Sequence, residues 1–168
     1  MRILLIEDEA ALARPLMEHL EADHHIVEWF STLDEAHSAV LALDYDVVLL
    51  DLQLPDGDGL TFLSTVRARG LRTPIIILIR DLTICLSDHS VSRAGQPVRL
   101  TAKEWGVLDA LLRRKTQIVP KDTLEAAIYG YGEEVESNAL EAHVSRLRTK
   151  LGKDLIATHR GIGYSLQT

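Results

Sequence analysis

Four short apolar runs, RILLI (2–6), HIVEWF (25–30), DVVLLD (46–51) and PIIILI (74–79), recur along the first half of the chain, separated by stretches whose apolar residues fall at helical spacing. Continuous apolar runs of strand length are the mark of strands buried on both faces. Their alternation with helices predicts a parallel sheet covered on both sides. The first helix is expected in EDEAALARPLMEHLEA (7–22), with Leu12, Leu16 and Leu20 at core spacing and Pro15 as a local cost. TLDEAHSAVLAL (32–43) and GLTFLSTVRARG (59–70), which ends at Gly70, supply the next two. The apolar runs are too short to span a bilayer, and no charged-then-apolar leader opens the chain, so a cytoplasmic protein with no membrane association is expected.

Ligands of open parallel sheets sit beyond the carboxyl ends of the strands. Glu7 and Asp8 directly follow ILLI, and Asp51 ends VVLL, so adjacent strands would bring three carboxylates to one edge. Hard oxygen donors of this kind suit Mg2+, and a metal-linked carboxylate can accept a phosphoryl group. On these residues alone, the plainer reading that Asp8 and Glu9 complement a helix dipole stands equally open. Asp56 and Asp58, in PDGDG, read as turn formers. His24 and His25 read as a loop after the first helix, because no further Cys or His lies at metal spacing. The single cysteine, Cys85, reads as a small buried hydrophobe.

The net charge of −7 conceals a split. Residues 1–79 hold 5 basic and 14 acidic side chains, residues 80–168 hold 13 and 11, and the last 32 residues hold 5 and 2. An acidic module joined to an anion-binding one is the expectation. In the second part LTICLSDHSV and SVSRAGQPVRL alternate in polarity about a Gly-Gln-Pro turn, as a small antiparallel sheet would. LTAKEWGVLDALLRR then offers a Thr101–Glu104 capping box and apolar positions 105, 108, 111 and 112. KDTLEAAIY gives a short helix. SNALEAHVSRLRTKLG gives a longer one with Leu140, Val144, Leu147 and Leu151 as its core stripe and Gly152 as its end, and DLIATHRGIGYSL forms a closing hairpin. A helix exposing Asn, His, Ser and Arg can bond base edges and phosphates, although a solvated helix with ordinary surface arginines fits that segment as well.

Taken together, RILLIEDE, YDVVLLDLQLPDGDGL and RTPIIIL resemble the receiver domain of bacterial two-component response regulators over residues 1–79. LTAKEWGVLDALL, ESNALEAHVSRLRTKLG and THRGIGYSL resemble the winged-helix effector domain of the OmpR/PhoB class over residues 80–168. The resemblance implies a flavodoxin-like α/β receiver followed by an α+β winged helix-turn-helix domain. It implies Glu7, Asp8 and Asp51 as Mg2+ ligands and Asp51 as phosphoacceptor for a sensor histidine kinase. Contacts to double-stranded promoter DNA would fall to Asn138, His143, Ser145, Arg146 and Arg148 on the recognition helix and to Thr158, Arg160 and Tyr164 at the wing. Ser145 stands where Arg or His often occurs, which leaves base preference open. The acidic loop of Glu133, Glu134 and Glu136 reads as a solvated turn or a surface facing RNA polymerase.

The receiver resemblance stops early. Its fourth-strand end, fourth helix, fifth strand and fifth helix are missing, and Ile79 stands where a Thr or Ser is implied. The absent Lys of the fifth strand would pair with phosphoryl oxygens, and the absent elements form the usual dimerisation face. An unpaired fourth strand is expected, covered by a partner chain in a homodimer or other oligomer, by an exchanged element, or by LTICL lying against IIILI. Phosphorylation is therefore expected to be poorly coupled to DNA binding. Two other readings use the same residues: an interaction protein that modulates an intact regulator, and a Mg2+-dependent aspartyl-phosphate phosphotransferase or phosphatase. The enzyme reading is weakened by Gln53, which lies where such hydrolases usually place a second Asp.

Overall fold

The computed structural model describes residues 1–114, 117–129 and 138–167. Two compact units divide the chain, Met1–Gly95 and Gln96–Thr168. The first contains β1 (Arg2–Ile6), α1 (Ala10–Ala22), β2 (Ile26–Phe30), α2 (Leu33–Ala42), β3 (Val47–Asp51), β4 (Gln53–Leu54), β5 (Gly57–Asp58), α3 (Gly59–Ala68), β6 (Ile75–Ile79), β7 (Leu82–Cys85) and β8 (Ser90–Arg93). Its main sheet runs β2-β1-β3-β6-β7-β8; β4 and β5 form a separate small hairpin. The first four strands are parallel and β7 and β8 are antiparallel.

The parallel half follows from the sequence periods. Right-handed crossovers carry the chain outward from β1 to β2 and back across to β3 and β6, so α1 lies on one face of the sheet and α2 and α3 on the other. On the α1 face Ile3, Leu5, Val47 and Leu49 pack with Ala13, and with partly buried Leu16, Met17, Leu20, Ile76 and Leu78. Leu12 does not join them; it is 57% exposed, because Ala13 takes the inward position one residue on. Pro15 is accommodated inside α1.

The expected bare edge at β6 is absent. Ile79 is followed by a two-residue turn, Arg80 and Asp81, and β7 pairs antiparallel with β6. The register aligns Ile6, Leu50, Ile77, Ile84 and Val91 in one row across five strands, and every member is buried. Of the three covers the sequence left open, LTICL against IIILI is the one adopted. Burying Ile77 and Ile84 against each other removes apolar surface from water that an unpaired β6 would expose. Cys85, on the opposite parity from Ile84, is half-buried rather than enclosed, with its Sγ 3.1 Å from the Ser87 hydroxyl. The turn expected at Gly-Gln-Pro falls one step earlier, at Ala94 and Gly95, which both have positive φ (47° and 74°).

The second unit contains β9 (Gln96–Val98), α4 (Ala102–Leu112), β10 (Val119–Pro120), α5 (Lys121–Ile128), α6 (Ala139–Leu151), β11 (Ile156–His159) and β12 (Gly163–Leu166), with the last sheet ordered β10-β12-β11. Thr101 and Glu104 form the expected capping box on α4. Leu140, Val144, Leu147 and Leu151 are the buried stripe of α6. Gly163 is required by close approach, since a Cβ there would lie 1.9 Å from the Val119 carbonyl oxygen. Among the described residues no helix is long and apolar enough to cross a membrane. Glu133, Glu134 and Glu136 lie outside the described residues.

Candidate acidic pocket and nucleic-acid interface

Because Ile6 pairs with Leu50, the residues that follow them, Glu7 and Asp51, leave the sheet side by side. A ligand oxygen from each of Glu7, Asp8 and Asp51 lies within 4.8 Å of the others. Glu7 is buried, Asp51 half-buried and Asp8 exposed, so the group opens outward from a desolvated floor. The backbone at Glu7 is fixed by its N–H donating to Phe30 O at 3.1 Å and by Trp29 Nε1 donating to Glu7 O at 2.7 Å. Glu9 N–H donates to Glu7 Oε1 (3.1 Å) and Leu52 N–H to Asp51 Oδ1 (2.7 Å). Gly59 backs the pocket: a Cβ there would come within 2.8 Å of Asp51 O and 3.1 Å of Leu52 Cα.

Burial pushes the Glu7 carboxyl above its usual range, and the charges of Asp51 and Asp8 push the same way against the Glu9 hydrogen bond. Glu7, whose ionisation burial and the two neighbouring carboxylates disfavour, makes with them a fitting donor set for a small divalent cation, whose charge would reverse that penalty. Asp56 and Asp58 do more than shape a turn. Asp56 accepts from the Leu33 and Asp34 N–H groups, both at 3.0 Å, and so caps α2. Asp58 caps α3 through Leu60 N–H at 3.3 Å.

On the second unit, α6 turns its apolar stripe inward and leaves Asn138, Ser145 and Arg146 exposed. Thr158 and Arg160 are exposed on the hairpin formed by β11 and β12. Other members of the expected contact set face elsewhere. Tyr164 is only 4% exposed, which removes it as a surface contact, and its ring lies beneath the Arg148 guanidinium, 6.0 Å away. Arg148 itself is half-buried and bonded within the unit, donating to Ile156 O and Thr158 Oγ1. His143 is half-buried with an enclosed Nδ1 that has no hydrogen-bond partner, and burial together with the nearby Arg146 charge lowers its pKa.

Two ion pairs position α6, and sequence reasoning missed both. Lys121 at the start of α5 bonds Glu141 in the first turn of α6. Lys150 in its last turn donates to Glu104 Oε2 at 2.6 Å and to Arg99 O at 2.9 Å. Burial works to raise the Glu104 carboxyl, but hydrogen bonds from Lys150 and Thr101 outweigh it and hold the group below its usual range. The capping box had already assigned Glu104 a role; nothing local in sequence points to a lysine on a later helix.

The first unit has a parallel sheet with an acid triad at its carboxyl edge, and the second has, among the described residues, three helices, one of them polar and exposed, and a hairpin. The model of the response regulator receiver domain matches residues 3–84, and that of the transcriptional regulatory protein C-terminal domain matches residues 95–166. The response regulator protein PmrA of Pseudomonas aeruginosa is 31% identical over 216 aligned positions, covering 99% of this chain and 98% of that protein. The swarming motility regulation protein RssB of Serratia marcescens is 32% identical over 217, covering 99% of each. The solved DNA-binding domain of CpxR from E. coli is 27% identical, covering 54% of this chain and 94% of that one, with a TM-score of 0.48. The chain belongs to the OmpR/PhoB family of two-component response regulators, and is a DNA-binding transcriptional regulator with a short receiver-like domain. With 168 residues against 216 aligned positions, at least 48 positions of the alignment have no counterpart here.

Proposed function

We propose that this regulator keeps a phosphoacceptor pocket but has lost most of the means to transmit its occupancy to DNA. In this reading residues 1–79 are the receiver-derived part and 80–168 the effector, with β7 and β8 recruited to complete the receiver sheet. Glu7, Asp8 and Asp51 would hold Mg2+, which would neutralise charge on an incoming phosphoryl group. An Asp51 carboxylate oxygen bonds to phosphorus as the P–N bond to a sensor kinase histidine breaks, the imidazole leaving with a proton. The observation that carries the proposal is the approach of the three carboxylates within 4.8 Å beside a sheet whose β6 is tied directly to β7.

Two points support weak coupling. A ligand shifts an equilibrium only if it favours one of two states. In the first unit β6 runs through a two-residue turn into β7, so no helix or further parallel strand follows it to move. Ile79, buried where the resemblance implies a hydroxyl, has no group to bond a phosphoryl oxygen. The DNA surface is assigned to the exposed Asn138, Ser145, Arg146 and Arg160, in a cytoplasmic protein that binds promoter DNA. Titrating salt against affinity for mixed-sequence duplex DNA tests it. Affinity falls steeply with salt, and Arg146→Ala and Arg160→Ala each lower the log–log slope by about 1. Unchanged slopes in both variants would remove this assignment.

A further inference from the structure

We infer that Arg148 acts as a brace that fixes the β11–β12 hairpin against α6, and not as a phosphate contact; the inference rests on the reading of α6 and the hairpin as the DNA surface. An arginine grips phosphate or carboxylate best through two parallel N–H donors along one edge. In Arg148 the Nε–Nη2 edge is already used: Nε and Nη2 donate to Ile156 O at 3.0 and 2.6 Å, and Nη2 donates again to Thr158 Oγ1 at 2.7 Å. Those three bonds use every hydrogen on Nε and Nη2, so neither two-donor edge of the guanidinium is free.

The acceptors lie on β11, while the ring under the guanidinium, that of Tyr164, belongs to β12 and pairs in register with Thr158. One side chain from α6 thus touches both strands of the hairpin. Between α6 and β11 the chain turns at Gly152, which has a positive φ of 125°. Lys150 is likewise committed, to Glu104 and Arg99 O. Arg146 on α6 and Arg160 just after β11 are exposed. The cations of this surface therefore fall into two kinds, those that meet DNA and those that hold the surface in shape. Moving Arg148 to a phosphate would forfeit three charge-assisted bonds and leave the Ile156 carbonyl without these donors.

The two roles separate by salt dependence. A phosphate contact contributes to the counterion slope; a brace changes affinity at every salt concentration without changing slope. Arg148→Ala is expected to weaken binding to mixed-sequence duplex DNA about 10-fold with an unchanged slope, through loss of a preorganised hairpin. Thr158→Val keeps the charge and should weaken binding in the same direction, and the double variant should be no weaker than Arg148→Ala alone. Without DNA, both variants should speed amide exchange in β11 and β12. A slope lowered by about 1 in Arg148→Ala, as for Arg146→Ala, overturns the brace and leaves the DNA surface standing. Unchanged affinity and exchange in Arg148→Ala also overturn it. If Arg146→Ala and Arg160→Ala leave both slope and affinity unaltered, the DNA surface itself is wrong and the brace falls with it. Should Arg148→Ala not fold, Thr158→Val decides alone, by its exchange rates with the guanidinium still present.

Discussion

The acidic pocket and the α6 surface collect charge by opposite means. In the pocket, three like charges are brought together by strand pairing, and Glu7 bears the cost in a raised pKa. On α6 and its neighbours, opposite charges are interleaved: Lys121 with Glu141 and Lys150 with Glu104, while Arg148 is spent on a carbonyl and a hydroxyl. A cluster that repels itself is poised for a cation, whereas a basic segment in a sequence overstates the charge it offers to a partner. Counting residues therefore finds the carboxylates of the pocket, but it does not show which cations of the helix are already bonded within the unit.

The sharpest separation of the two regions comes from backbone packing in the second unit. Gly163→Ala would set a Cβ against the Val119 carbonyl and is expected to cost about 4 kcal/mol or more. Calorimetry should show the transition of the second unit lost and DNA binding with it, while Mg2+ still stabilises the first unit; loss of both would mean that the units do not fold separately. Next, Ile84→Ala removes buried volume from the five-strand row and should cost about 2–5 kcal/mol, appearing in the transition of Met1–Gly95. A shift confined to the other transition would return β7 to the effector.

The pocket's self-repulsion gives a smaller effect of definite sign. Because the Glu7 pKa is raised in the folded state, its contribution to stability is present below its unfolded value and is lost as pH rises through the folded value. Mg2+ at about 100 times its Kd should add about 2.7 kcal/mol near neutral pH by mass action, and Asp51→Asn should stabilise the metal-free protein while reducing the gain from metal. The smallest effect concerns His143. Its folded pKa is lowered, so the stability it contributes is present above its unfolded value and is lost as pH falls through the folded one. His143→Gln should flatten that part of the stability–pH profile.

The parallel half was legible because strands buried on both faces read as unbroken apolar runs, and strand ends then fix where Glu7, Asp8 and Asp51 must emerge. The membership of β7 was legible only as one of three options, since LTIC alternates as any antiparallel strand does and does not name its neighbour. The turn at Ala94 and Gly95 was missed because an alanine with positive φ has no signature in sequence. The internal bonds of Arg148 left no trace in the sequence for a related reason. Its chief partner is the carbonyl of Ile156, a backbone atom that every residue carries. Tyr164 lies on the second strand of its hairpin, β12, which is buried at all four residues and carries no alternation to mark it as inward.

The central claim is that pocket occupancy no longer reaches the DNA surface. Its most direct measurement is DNA affinity at fixed salt with Mg2+, before and after a small acyl phosphate has loaded Asp51, loading being followed by intact mass and by its absence in Asp51→Asn. The expected result is a phosphoryl adduct with affinity changed less than about twofold, an effect under about 0.5 kcal/mol. An adduct that tightens or weakens binding tenfold or more, in a manner abolished by Asp51→Asn, would contradict it.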